Sequence, residues 1–227
     1  VINAFNMIDG LDGLSGSVAL VALGGLAFLA GRAGLAEAHG ILLILAGAVL
    51  GFLLLNYRFR WRRRALVFLG DSGSSWLGFL LAWFFIQLSQ DDPAAGTTRA
   101  YAPITAIWLF GLPLMDTTYV MIRRALVGEP IFKADRRHLH HRFLRSGFTV
   151  RQTWAALVGA AVAMAAETPH TEVAAAMMMV SFFDFIFSQR VPKSHMKMMT
   201  VGVTTQATRR PGRPSWRISE KRISAPR

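Results

Sequence analysis

The sequence predicts an all-α protein, a polytopic transmembrane helical bundle with about five or six spans in this chain. Three observations predict it. Apolar residues make up 53% of the 227 positions, beyond what an ordinary soluble domain of this length carries. Six stretches, roughly residues 14–31, 40–56, 75–89, 101–122, 152–166 and 173–187, approach the length that crosses a bilayer, which is about 20 residues. Positive charge also alternates from loop to loop, as translocation requires.

The first span, 14–31, is rich in Leu, Ala and Gly and holds no charge. The second, at residues 41–55 (ILLILAGAVLGFLLL), is apolar all round, whereas a helix of a soluble bundle keeps one polar face. The third, 75–89, follows a Gly-rich turn, and the fourth, 101–122, is one long apolar run. The last two are shorter, and Asp184 weakens the sixth. The chain therefore divides into a membrane-embedded core over 1–165, a further candidate span over 166–189 and a basic tail over 190–227. The tail, with ten Lys or Arg and four Pro, has the composition of a disordered segment with only a generic attraction to anionic lipid.

Orientation follows from charge. The loop after the second span carries Arg58, Arg60, Arg62, Arg63 and Arg64. The loop after the fourth carries Arg123, Arg124, Lys133, Arg136, Arg137, Arg142, Arg145 and Arg151. The opposite loops, 31–39 and 90–100, hold Arg32 and Arg99 against Glu37, Asp91 and Asp92. An excess of cations in short loops marks the cytoplasmic side, so residues 1–13 and both basic loops are expected there. This topology accounts for most of the net charge of +12 without nucleic acid, which is not expected as a partner. No Cys is present, which excludes disulfides, thiolate metal sites and a Cys nucleophile. VINAFNMIDG has neither an initiating Met nor the layout of a signal peptide, and the chain is expected to begin inside a longer protein.

Polar chemistry gathers in three segments on that one side. In NAFNMIDGLDGLSG, the residues Asn3, Asn6, Asp9 and Asp12 recur at every third position. In a helix they would run down one slowly rotating face, while Gly10, Gly13 and Gly16 permit close backbone approach or a break. Amides and carboxylates at a membrane boundary need partners, and an oxygen-rich set suits a hard cation such as Mg²⁺. A capped helix start accounts for one Asp but not for four polar residues at strict spacing. In GDSGSSWLGF, residues 70–79, Asp71 sits in a Gly-rich turn that opens a helix. Such a turn presents N–H groups to an anion while an Asp holds a metal on the same phosphates; an ordinary Asp or Ser N-cap explains it equally well. In KADRRHLHHRF, residues 133–143, His138, His140 and His141 stand among Arg136, Arg137 and Arg142. A structural zinc site would call for further ligands, whereas dense Arg with His suits recognition of an anion. Asp116, near the cytoplasmic end of the fourth span, could serve this site, but a structural pairing with Arg123 and Arg124 is the expectation. Together the segments supply what metal-assisted phosphoryl transfer requires: groups that position substrates and neutralise charge.

At these same residues the chain resembles the polyprenyl-phosphate N-acetylhexosamine-1-phosphate transferases. The likeness runs from NAFNMIDGLDGL through VFLGDSGSSWLGF and PLMDTTYVMIRR to DRRHLHHRFLRSGFT, in family order and spacing, over roughly residues 1–160. The HLHH segment resembles the branch that uses UDP-N-acetylglucosamine or a similar UDP-sugar, as in enterobacterial-antigen and O-antigen initiation.

The resemblance implies attack by undecaprenyl phosphate on the β-phosphorus of a UDP-N-acetylhexosamine, with UMP released and Mg²⁺ required, Mn²⁺ being the alternative ion. It implies Asp71 as a Mg²⁺ ligand with Asn6 as companion, and Asp9 and Asp12 as essential carboxylates near metal and nucleotide. Phe68 would stack on uracil, His138, His140 and His141 with Arg137 would contact the sugar diphosphate, and Asn3 joins the substrate-binding set. Whether a carboxylate acts as nucleophile or as base stays open, direct attack by the lipid phosphate being favoured. The implied setting is the bacterial cytoplasmic (inner) membrane, with the active site on its cytoplasmic face. Substrates and membrane lipid are the implied partners, and pairing with a second copy as a homodimer stays open. The family also carries an earlier aspartate pair and earlier spans, so the chain is expected to be truncated at its N-terminus. That gap would also suit a relative that binds UDP-sugar or lipid phosphate without turnover. Beyond about residue 165 the likeness stops, as a divergent tail or a reading-frame change would produce.

Overall fold

The structure, a computed structural model, describes residues 1–59, 64–91, 93, 96–128, 130 and 138–167. Among these there are eight helices: α1 (Ile2–Ile8), α2 (Leu14–Arg32), α3 (Ala36–Asn56), α4 (Gly70–Gln87), α5 (Pro103–Leu109), α6 (Gly111–Val127), α7 (Leu139–Arg145) and α8 (Val150–Glu167). The candidate span 173–187, the tail and Arg137 lie outside the described residues.

Hydropathy sets the layering. Both α2 and α3 are long and apolar enough to cross a membrane, yet 67% of the α2 window is buried inside the protein and only 17% of the α3 window. Small residues line α2, and Ala19, Ala22, Leu23, Leu26 and Ala30 are buried, so neighbouring helices pack closely on it. On α3 large side chains such as Ile44 (74% exposed) and Leu54 point outward, the arrangement of a helix that faces lipid. One core gathers Phe5, Leu23, Leu26, Leu42, Leu81 and Phe85. A second joins Leu14, Val18, Leu112, Tyr119 and Leu157, binding α2, α6 and α8 together.

The stretch 101–122 is not the single continuous span its hydropathy suggests. α5 and α6 meet at an 82° bend. Pro113 has no N–H to give the carbonyl of Leu109, and its ring crowds that carbonyl. The ladder stops accordingly: Phe110 N bonds Ala106 O at 3.1 Å and Leu114 N bonds Phe110 O at 3.2 Å. Counted as one broken span, the pair brings the candidate spans among the described residues to three by length and composition; α8 is a shorter apolar helix, and α4, over the expected span 75–89, is not among the three.

The hydrogen bonds at the helix ends fix which termini lie together. At one end, Gly13 N donates to Asn56 Oδ1 at 2.7 Å, and Asn56 Nδ2 donates to Val67 O at 2.8 Å. Trp154 Nε1 donates to Gly13 O at 3.2 Å. At the other end His39 Nδ1 bonds Ala27 O at 2.8 Å, and Ala100 N donates to Leu88 O at 2.8 Å. The start of α2, the end of α3, the approach to α4 and the start of α8 therefore share the end that holds the polar segments.

Asn56, 5% exposed, bridges two of these segments. Asn56→Ala leaves the Gly13 N–H and the Val67 carbonyl unpaired, and each orphaned buried group costs about 1–3 kcal/mol. A loss of stability of at least that size is expected in detergent unfolding; a change within about 0.5 kcal/mol, typical of an inconsequential substitution, would contradict the bridge.

Candidate functional site

The acidic segment is a helix followed by a turn. α1 ends at Ile8, and Asp9 is its C-cap with φ −76° and ψ 44°. Gly13 adopts φ +81°, a conformation that a side chain disfavours. The three-residue spacing thus splits across a break, placing Asn3 and Asn6 on α1 and Asp9 and Asp12 in the turn. Asn3 is exposed on α1, away from the cavity described below.

Asn6 faces α4, its Nδ2 donating to Ser75 Oγ at 3.1 Å. Ser75 stands one turn after Asp71 on that helix, so the face of α4 that meets Asn6 also carries Asp71. Asp71 lies in the first turn of α4, exposed to solvent. α4 receives no side-chain hydrogen bond at its N-cap. Its first-turn N–H groups are those that an anion completes.

Asp9 and Asp12 line a cavity of about 180 Å³ together with Asn56, Phe68 and Leu69. Asp9 accepts from Ser15 Oγ at 2.6 Å, and Asp12 is paired to Arg58, Nε to Oδ2, at 2.5 Å. Burial raises the Asp9 carboxyl above its ordinary range, more than the Ser15 hydrogen bond lowers it, and the charges of Asp71 and Asp12 add to the rise. Phe68, in the approach to α4, is 76% exposed at the rim. An aromatic ring so placed beside carboxylates is available for stacking.

The histidine segment approaches from the other side. His138 precedes α7, and His140 lies 2% exposed within it. The His140 ring abuts Gly10: a Cβ built there would lie 2.4 Å from Nε2. This contact joins the histidine and acidic segments. The His140 ring is parallel to that of His138, with centroids 6.0 Å apart, and 4.2 Å from that of His141. Neither of its nitrogens has a hydrogen-bond partner among the described residues. Burial lowers its pKa to about 4, His141 and His138 adding to the fall and Asp116 opposing it.

The His140 ring is therefore neutral in the folded protein and protonates near 6.5 when unfolded. The stability this contributes is complete above pH 6.5 and is lost as pH falls toward 4. Linkage puts the loss at about 2 kcal/mol by pH 5. Wild type should lose that stability between pH 7.5 and pH 5 relative to His140→Phe; parallel pH dependence of the two would contradict it.

Asp116 departs from expectation. It pairs with neither Arg123 nor Arg124 in the bonds described: its Oδ2 meets His138 Nδ1 at 3.0 Å and its Oδ1 accepts the Leu139 N–H at 2.8 Å. The bend at Phe110 redirects α6, and the carboxylate satisfies the otherwise uncapped start of α7, while Arg124 donates to Pro130 O at 3.0 Å. Asn56 and Asp116 are the two site-building residues that sequence reasoning did not assign. The signal for each was a polar residue inside an apolar run.

The resemblance implies a divalent cation, and the donors present can be compared with what such an ion takes. Among the described residues no group of three or more His, Asp or Glu is arranged to hold a metal. Mg²⁺ rarely uses such a cage; it takes one or two carboxylates and completes its shell with water and substrate phosphate. Asp71, Asn6, Asp9 and Asp12 carry hard oxygen donors of that kind; Asp12 is already paired to Arg58, and burial is the main cause of the raised Asp9 carboxyl.

Residues 1–89 match the family model "Glycosyl transferase family 4". The chain is 37% identical over 174 residues to the undecaprenyl-phosphate alpha-N-acetylglucosaminyl 1-phosphate transferase of Salmonella typhi, covering 74% of this chain and 46% of that protein. The protein of the same description from Escherichia coli K12 is 35% identical with the same coverage. That from Yersinia pestis is 37% identical over 164 residues, 72% of this chain and 43% of that protein. The chain spans about half the length of the curated relatives it matches. It is a membrane protein, and its residues 1–89 are similar to glycosyl transferase family 4.

Proposed function

We propose that the protein transfers N-acetylglucosamine-1-phosphate from UDP-N-acetylglucosamine to undecaprenyl phosphate, releasing UMP, at the cytoplasmic face of the inner membrane. This would initiate a cell-surface polysaccharide such as O-antigen. The observation that carries the reading is the contact between His140 and Gly10. Through it the anion-recognising segment meets the carboxylate segment at one end of the bundle, where a lipid phosphate and a nucleotide sugar can meet. The names of the relatives supply the substrate class.

An oxygen of the lipid phosphate attacks the β-phosphorus, the bond from that phosphorus to the bridging oxygen breaks, and UMP leaves with the oxygen. The chain's own part is positioning and charge balance. Phe68 stacks on the uracil. His138, His140 and His141 contact the diphosphate, and α4 offers its first-turn N–H groups to phosphate. Asp71 and Asn6 would hold Mg²⁺, or Mn²⁺ in its place, and the ion would supply neutralisation of charge on the phosphates. Asp9 and Asp12, the latter held by Arg58, line the adjoining cavity.

Membranes containing the protein, given UDP-N-acetylglucosamine labelled in the sugar and undecaprenyl phosphate, should yield label in the lipid phase that depends on the divalent cation. Inserted protein that binds UMP in a Mg²⁺-dependent way yet gives no lipid product would establish binding without turnover instead.

A further inference from the structure

Asp116 occupies a place that the transfer reaction does not itself call for. Its carboxylate is 2% exposed on α6 and spends both oxygens on the histidine segment. Oδ1 takes the Leu139 N–H at 2.8 Å and Oδ2 takes His138 Nδ1 at 3.0 Å. The first bond prevents the carboxylate from turning, because releasing it would orphan a buried backbone donor at the start of α7. An ionised carboxylate can only accept, so the proton of the second bond must sit on Nδ1. His138 is itself buried, and the hydrogen bond described for its ring is made through Nδ1. The ring lies parallel to that of His140, which meets Gly10 of the acidic segment.

We propose that Asp116 is a positioning residue, which fixes His138 as the tautomer protonated on Nδ1 and so presents Nε2 as the nitrogen offered to the substrate. A proton that reaches Nε2, from a phosphate or a sugar hydroxyl, is then balanced by the carboxylate behind the ring. A buried carboxylate that orients an imidazole and favours its cation performs this service in other enzymes. The substrate in this statement rests on the proposed transferase reading; the tautomer does not.

Asparagine at this position offers one acceptor and one donor. If Asp116→Asn keeps its bond from Leu139 N, its Nδ2 faces His138 Nδ1 as a donor, and the ring must move its proton to Nε2. The full chain, labelled with ¹⁵N in its histidines and placed in lipid nanodiscs, tests this directly, His138→Gln identifying the His138 signals by their loss. The expected result at neutral pH is protonated Nδ1 in wild type and protonated Nε2 in Asp116→Asn. On membranes that show transfer, kcat for Asp116→Asn should fall by about 10²-fold or more, with KM changed by less than about threefold, since a wrong tautomer costs up to about 10⁴ where it has been isolated. His138 protonated on Nε2 in wild type would overturn the proposal and needs no variant to fold. A tautomer that switches while kcat is unchanged would overturn the positioning role. Absence of transfer with the expected tautomers would count against the transferase reading alone.

Discussion

Asp71→Asn is expected to lower transfer by about 10³-fold while leaving the protein as stable as before. The structure separates the two effects. Asp71 is exposed in the first turn of α4 and does not cap that helix. It appears in neither of the ion pairs formed by Asp12 and Asp116. Substitution of such a residue changes stability by less than about 0.5 kcal/mol. Its carboxylate nonetheless lies close enough to raise the Asp9 carboxyl, and it shares a helix face with Ser75, the partner of Asn6. Removing one charge from the place where a metal and a diphosphate must be neutralised takes away stabilisation that grows as the phosphoryl group moves, and single groups of that kind contribute 10² to 10³ in rate. Transfer by Asp71→Asn within about threefold of wild type, at equal membrane content, would contradict the assignment.

Gly10→Ala should be nearly as damaging for a different reason. The backbone at Gly10 does not use the left-handed region, so the glycine is required by space. An added Cβ would lie 2.4 Å from His140 Nε2 and 2.8 Å from its Cε1. The ring cannot retreat freely, because His141 is 4.2 Å away and His138 lies parallel to it. The acidic and histidine segments must separate by a few tenths of an ångström or more. Overpacking of this kind costs about 1–3 kcal/mol, and misplacing reacting groups by about 1 Å can cost 10²-fold in rate. Gly24→Ala is the control, since nothing lies within 4 Å of its added methyl. Transfer and melting temperature should fall for Gly10→Ala and hold for Gly24→Ala; equal behaviour of the two would show that the segments are not in contact.

Much of this architecture could be read before any coordinates. The spans at 14–31 and 40–56 appear as α2 and α3 within a few residues, because hydropathy is a property of composition and needs no knowledge of neighbours. The direction of a helix is not such a property. Hydropathy across 101–122 is continuous, and the turn of 82° depends on where the Pro113 ring falls relative to the carbonyl of Leu109. The site shows the same division. Asp9, Asp12, Asp71 and the three histidines stand out as candidates because each lies in a polar segment that charge placement assigns to one side. Asn56 closes an apolar helix and Asp116 lies inside one, and both acquire their roles only from what packs on them. Asp116 looked like a partner for Arg123 and Arg124 because those cations are near it in sequence; His138 is 22 residues away and becomes its neighbour only in the fold.

One measurement tests most directly whether these segments form a single site for a nucleotide sugar. The purified chain in nanodiscs is titrated with UDP-N-acetylglucosamine, with and without Mg²⁺, alongside Asp71→Asn and Gly10→Ala. Saturable binding that requires Mg²⁺, is displaced by UMP and is weakened in both variants is the predicted result. Binding that ignores Mg²⁺ and survives both substitutions would mean that the carboxylate and histidine segments do not act together on the nucleotide sugar, and the account of the site would fail.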